Sequence, residues 1–240
     1  MMLKVDLHIH TIKSQEAFNT LCELAEEGKR RDLKIMGFTD HGPCCSVGAN
    51  EVWFKQHRRF PKYISGVRTL CGAELNIIDQ EGNVDLPEKV LKKLDLVACG
   101  LHLNKEFRKG EITDNTKAML NAMQNPLIKV IAHPCYSVEP VDIEPVAHEA
   151  IKKNILLELN TSHFRYGKSP DPGYIERMKK MIQICQDNDH MMIIGSDAHS
   201  IWEVGDDSGL VNMQKELGYK DEFIINNYPE KVLEFFGVKG

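Results

Sequence analysis

Seven short apolar runs, each followed by a stretch with helical spacing, are the strongest constraint on how this chain can fold. The runs are 2–10, Lys34–Thr39, Val67–Asn76, Asp95–Leu101, Ile128–Ala132, Ile155–Leu159 and Met191–Gly195. They are short and almost continuously apolar, as strands covered on both faces should be. Helical patterns are expected over Glu16–Arg31, within Glu51–Arg59, after Pro87 at a first helical position, and over Asp114–Met123, Asp142–Lys153, Gly173–Asp187, Gly209–Leu217 and Pro229–Phe236. The polar stretch 79–83 predicts a small hairpin excursion. Strand and helix in alternation give an α/β chain with a parallel sheet and helices outside it. A closed barrel and an open doubly wound sheet both satisfy the pattern. No glycine-rich phosphate loop follows the first strand. No linker or fixed-period repeat divides the 240 residues, so a single domain over 1–240 is expected.

The ten histidines are concentrated where such a fold builds its sites. His8, His10, His41, His102, His133 and His199 fall at predicted strand C-termini, as do Glu74 and Asp197. In parallel barrels that end carries the active site. His8 and His10 are two apart on one strand, which aims both at one face with Val5, Leu7 and Ile9 on the other. Asp197 and His199 repeat the spacing. Imidazoles and carboxylates converging this way predict a metal site. His57, His148 and His190 lie in helix or helix-end contexts and are expected at the surface or behind the ligands. His163 follows the sixth strand, where it either touches substrate or is solvated.

Bulk composition narrows the partners. Net charge is −5, which argues against nucleic-acid binding by bulk electrostatics. No apolar run approaches the length of a membrane span, and the N-terminus lacks a signal-peptide pattern, so a cytoplasmic location is expected. Seven cysteines without a C-x-x-C pair read as reduced, packed thiols, with Cys44-Cys45 beside His41 as the pair nearest the expected metal.

Asp6-Leu7-His8-Ile9-His10-Thr11, Thr39-Asp40-His41, Glu74, His102, Ala132-His133-Pro134 and Gly195-Ser196-Asp197-Ala198-His199 resemble, in order and spacing, the motifs of the polymerase and histidinol phosphatase (PHP) family. Among its members the stand-alone bacterial phosphatases are most similar. The resemblance runs from about Met1 to Gly237. It implies a distorted seven-stranded (β/α)7 barrel with a trinuclear centre, two to three divalent ions of zinc, manganese or iron. Carried over by position, His8, His10, Glu74 and Asp197 would hold one metal. Glu74 would bridge to a second, bound also by His102 and His133. His41 and His199 would hold a third. There the family usually adds a histidine from just after the first strand, and Glu16 stands in its place. A carboxylate can still ligate these metals.

Clustered metals suit hydrolysis of a phosphate ester by a metal-bound hydroxide, with no protein nucleophile. The expected enzyme is therefore a phosphatase acting on a small phosphomonoester. Asp40 is a candidate to orient His41. His163, Arg165 and Lys168 after the sixth strand are candidate substrate contacts, as are Lys105 and Arg108 after the fourth. The alternatives are a histidinol-phosphate phosphatase proper, a phosphodiesterase or nuclease relative, a catalytically silent metal-binding module, and a different metal hydrolase such as an amidohydrolase-like barrel.

Overall fold

The computed structural model describes residues 3–102, 110–167 and 170–239. Its strands are β1 (Val5–Ile9), β2 (Ile35–Phe38), β3 (Tyr63–Ile64), β4 (Val67–Asn76), β5 (Leu96–Gly100), β6 (Val130–Ile131), β7 (Leu156–Asn160) and β8 (Ile193–Gly195). The helices are α1 (Leu21–Arg30), α2 (Glu51–Lys55), α3 (Glu88–Leu91), α4 (Ile112–Ala122), α5 (Ile143–Lys153), α6 (Pro172–Asp187), α7 (Ser208–Leu217) and α8 (Pro229–Phe235). Seven strands pair in parallel in the order β1-β2-β4-β5-β6-β7-β8, and β3 adds an antiparallel edge to β4.

The sheet curls until its ends nearly meet. The His10 amide donates to the Ala198 carbonyl at 2.8 Å, and the Ala198 amide donates to the His8 carbonyl at 3.2 Å. Lower down, the Asn226 side chain takes the place of a missing strand. Its amide donates to the carbonyls of Val5 and Ile194 and its carbonyl accepts from the Ile194 amide, each at 2.8 Å. The result is the distorted seven-stranded barrel that the alternation allowed.

Inside, Val5, Leu7, Ile35, Leu70, Leu96, Ala98, Val130, Leu156 and Ile193 form one apolar cluster. Ile225 and Val232 join it, so the C-terminal segment stoppers the end where the strands begin. The helices pack on the outside through a second cluster that includes Leu24, Val90, Met119, Val146 and Met178.

Local differences from the sequence reading have physical causes. Helix α1 begins at Leu21, not Glu16, because Thr20 and Glu23 form a reciprocal capping box. Glu16 therefore lies in the preceding turn. Pro87 is the extended residue before α3 rather than its first turn. Strict alternation fails in β1: Leu7 packs in the inner cluster and Ile9 in the outer one. The pairing with β2 slips between Asp6 and Ile9, a bulge that re-aims the side chains leading to His10. No helix among the described residues is long and apolar enough to cross a membrane.

Candidate metal centre

The residues singled out by sequence come from six strand ends and meet in one place. His8 and His10 leave β1, His41 follows β2, Glu74 sits in β4, His102 and His133 follow β5 and β6, and Asp197 and His199 follow β8. Glu74 is fully buried at the centre. Its Oε1 lies 2.7 Å from His133 Nε2, 3.1 Å from His102 Nε2 and 3.4 Å from His8 Nε2. Its Oε2 lies 2.8 Å from His41 Nδ1 and 3.6 Å from His10 Nε2. Asp197 Oδ1 lies 3.2 Å from His10 Nε2 and 3.6 Å from His8 Nε2. Glu16 reaches in from its turn, with Oε1 3.1 Å from His41 Nε2 and 3.4 Å from His199 Nε2.

Four overlapping triads bring their ligand atoms within 4.8 Å of one another: His8-Glu74-His133, His8-His10-Asp197, His41-Glu74-His102 and His10-His41-His199. His10 and His41 each face two of these groups. Lys105 and Arg108, and Lys168 among the substrate candidates, lie outside the described residues. Among the described residues no cysteine joins a triad, and neither Cys44 nor Cys45 is in a disulfide.

The donor set fits divalent cations. His8 Nε2, His10 Nε2, His41 Nδ1 and Glu74 Oε2 are buried and make no hydrogen bond, although opposite groups stand close by. An unsatisfied buried polar atom costs roughly 1–3 kcal/mol, so four aimed at a common volume call for a shared partner. Nitrogen and carboxylate oxygen suit zinc, manganese or iron.

A layer behind the ligands fixes which lone pairs point inward. His8 Nδ1 donates to Glu158 Oε1 at 2.6 Å, leaving Nε2 toward the cluster. Glu158 Oε2 accepts from the His133 amide at 2.8 Å and from Asn160 Nδ2 at 3.1 Å. Asn160 Nδ2 also donates to Asp197 Oδ2 at 3.2 Å. A Cβ on Gly195 would collide with the Glu158 carboxylate, so that position needs glycine. Ser14 Oγ donates to Asp40 Oδ1 at 2.9 Å and accepts from His10 Nδ1 at 3.2 Å. Asp40 thus orients His10 through Ser14, and not His41 directly as the sequence suggested. Asp197 and His133 both adopt positive φ, 53° and 32°, which non-glycine residues hold only under constraint from their surroundings.

Electrostatics divides the imidazoles. Burial opposes charging of His8, but the carboxylates of Glu158, Glu74 and Asp197 outweigh it and raise its pKa well above the usual value. His10 goes the other way, down to about 3, through burial and then the neighbouring His41 and His199. Burial also opposes ionisation of Glu74, yet His8, His102 and His41 hold it well below the carboxylate range.

Two of the three histidines set apart by sequence depart from a surface position. His57 and His190 are buried, not at the surface. His57 packs with Trp53, Phe54 and Phe60, and His190 Nε2 bonds the Ile155 carbonyl at 2.8 Å. His148 is exposed. Of the substrate candidates, His163 is half-buried between Tyr136 and Tyr174. Arg165 is buried with Nη1 3.3 Å from Glu203 Oε1. Glu203 in turn accepts from the His199 amide at 2.7 Å. Glu158, Asn160 and Tyr136 were not read from sequence. Tyr136 stacks on His133 at 4.2 Å between ring centroids.

The PHP domain model matches residues 6–197, four-fifths of the chain. Over all 240 residues the chain is 37% identical to a Clostridium botulinum protein named "Probable phosphatase", covering 97% of that protein. It is 34% identical to a similarly named Clostridium novyi protein, with the same coverage. Among solved structures it resembles the histidinol phosphate phosphatase of Lactococcus lactis, determined with zinc, L-histidinol and phosphate. That likeness has a TM-score of 0.66 at 15% identity and covers 92% of this chain and 95% of that one. A parallel barrel with imidazoles and carboxylates gathered at its strand C-termini defines the class, and this chain belongs to the PHP domain family.

Proposed function

We propose that the chain is a metal-dependent phosphatase that hydrolyses a small phosphomonoester at a centre of two to three divalent ions, with residues 1–240 acting as one hydrolase domain. The observation that carries this reading is the convergence of buried, unsatisfied ligand atoms on Glu74. Membership of the PHP family and relatives named as phosphatases support it.

In this reading His8, His10, Glu74 and Asp197 hold one ion. Glu74 is shared with a second, held also by His102 and His133, and Glu16, His41 and His199 hold a third. Zinc, manganese and iron all suit these donors. When bound, such ions acidify water to a pKa of about 7 and neutralise phosphoryl oxygens. The protein's own part is orientation. Glu158 and Ser14 each hold a ligand imidazole by its outer nitrogen. Arg165, whose buried Nε and Nη2 make no hydrogen bond, offers donors to a substrate phosphate, with His163 and Lys168 from the same segment. The net charge of −5 favours a small ester over nucleic acid. Seven cysteines without a disulfide among the described residues favour a reducing compartment, the cytoplasm.

Phosphate release from protein loaded with manganese, zinc or iron tests this directly. The panel includes assorted phosphomonoesters, histidinol phosphate and oligonucleotides. Turnover on a monoester, abolished by chelation, is expected. His10→Ala and Asp197→Ala should lose bound metal and activity together. Silence across the panel with every metal, or full turnover in both variants, would overturn the reading.

A further inference from the structure

At the end of the barrel where the strands begin lies a cavity of about 430 Å³ that the chemistry above does not use. Five cations line it: Arg58, Lys62, Arg68, Lys93 and Lys239. Elsewhere on the surface the chain neutralises its cations locally, as in Lys55 with Glu51, Lys92 with Glu88, Lys152 with Glu149 and Lys180 with Glu144. Among the described residues none of the five cations has such a partner. Among the described residues Asp95 is the sole carboxylate in the lining, and its Oδ2 already accepts from the Cys71 amide at 3.0 Å. Like charges gathered without counter-charge repel one another, which is unexpected in a chain of net charge −5.

Two buried groups mark the cavity as built rather than incidental. Arg68 is only 6% exposed. Its Nη1 donates to the carbonyls of Lys62 and Thr69, and its Nη2 to that of Lys239, which fixes the guanidinium plane. Its Nε has no partner. His57, 3% exposed, also lines the cavity, and neither ring nitrogen is hydrogen-bonded. Buried donors without acceptors are rare in folded proteins and call for a ligand. The lining supplies planar and point-like cations around unsatisfied N–H groups. That chemistry recognises clustered phosphate oxygens.

We propose that this cavity is a second anion site, distinct from the metal centre, that binds a small phosphorylated or diphosphorylated molecule. Strand β4 joins the two, with Arg68 near its start and Glu74 near its end, six residues or about 20 Å apart.

Calorimetric titration of the metal-loaded protein with methylenediphosphonate, a diphosphate that cannot be hydrolysed, tests it under buffered free metal. Two classes of binding are expected for the natural protein. In Lys62→Glu/Lys93→Glu, whose side chains are exposed, one class should weaken by about tenfold or more, which is about 1.4 kcal/mol. Turnover of p-nitrophenyl phosphate and Tm should stay as they were. Arg58→Gln, read the same way, serves if the double variant unfolds. Identical isotherms in natural and variant protein would overturn the site.

Discussion

The inside of this barrel has two layers built on opposite principles. In the lower one, Val5, Ile35, Leu70, Leu96 and Ile193 fill space with hydrocarbon. In the upper one, Glu74 and its ring of imidazoles fill space with groups that all need partners. One strand spans both, since Leu70 and Glu74 lie four residues apart on β4 and so share a face. The lower layer makes the protein stable. The upper layer gathers charge that is largely buried, at a cost in stability that bound cations would offset.

The sharpest way to break that contrast is Glu74→Gln. It keeps the shape and removes the charge shared by five imidazoles. Turnover should fall about a thousandfold or more with loss of bound metal by elemental analysis. Stability of the metal-free protein in urea should hold or rise. Leu70→Ala should do the reverse. Urea denaturation should show a loss of about 2–5 kcal/mol, with kcat per folded molecule nearly unchanged.

Glu158→Gln probes the boundary. It keeps a hydrogen bond to His8 but removes its charge, so metal affinity should weaken about 10–100-fold in competition with a chelator dye. The smallest effect belongs to His57, an imidazole buried without a carboxylate. Burial lowers its pKa to about 4 from 6.5. The unfolded chain takes the proton first, so stability falls as pH drops from 6.5 toward 4. Between pH 6.5 and 5.5 that loss is about 1 kcal/mol, and His57→Phe should abolish it in paired denaturation curves.

The upper layer was largely legible in the sequence, and the reason is geometric. Ligands at strand ends sit at fixed offsets from apolar runs, so His8, His41, His133 and Asp197 announce their place once the strands are found. Glu158 was hidden because it stands inside one of those runs, Leu156–Asn160, where a single carboxylate looks like an interruption. His57 and His190 were misplaced because helix-end position does not reveal which neighbours fold over a side chain. The two-residue strand β3 is too short for any periodicity to show. Glu16 was read into a helix because its spacing continued that of α1, whereas the capping box at Thr20 decides where the helix starts.

The barrel is joined end to end by a few hydrogen bonds: two between backbones at Ala198, those of the Asn226 side chain, and two from Ser196, whose Oγ donates to the His8 carbonyl at 3.1 Å and whose amide donates to Asp6 Oδ1 at 3.2 Å. Yet His8 and His10 stand on one side of that seam, and Asp197 and His199 on the other. A cation gripped by both sides is therefore also a clasp. The first and last strands of the sheet, nearly two hundred residues apart in the chain, would then be held together by the same atoms proposed to serve the chemistry, so losing the ion would loosen the hoop as well as empty the site.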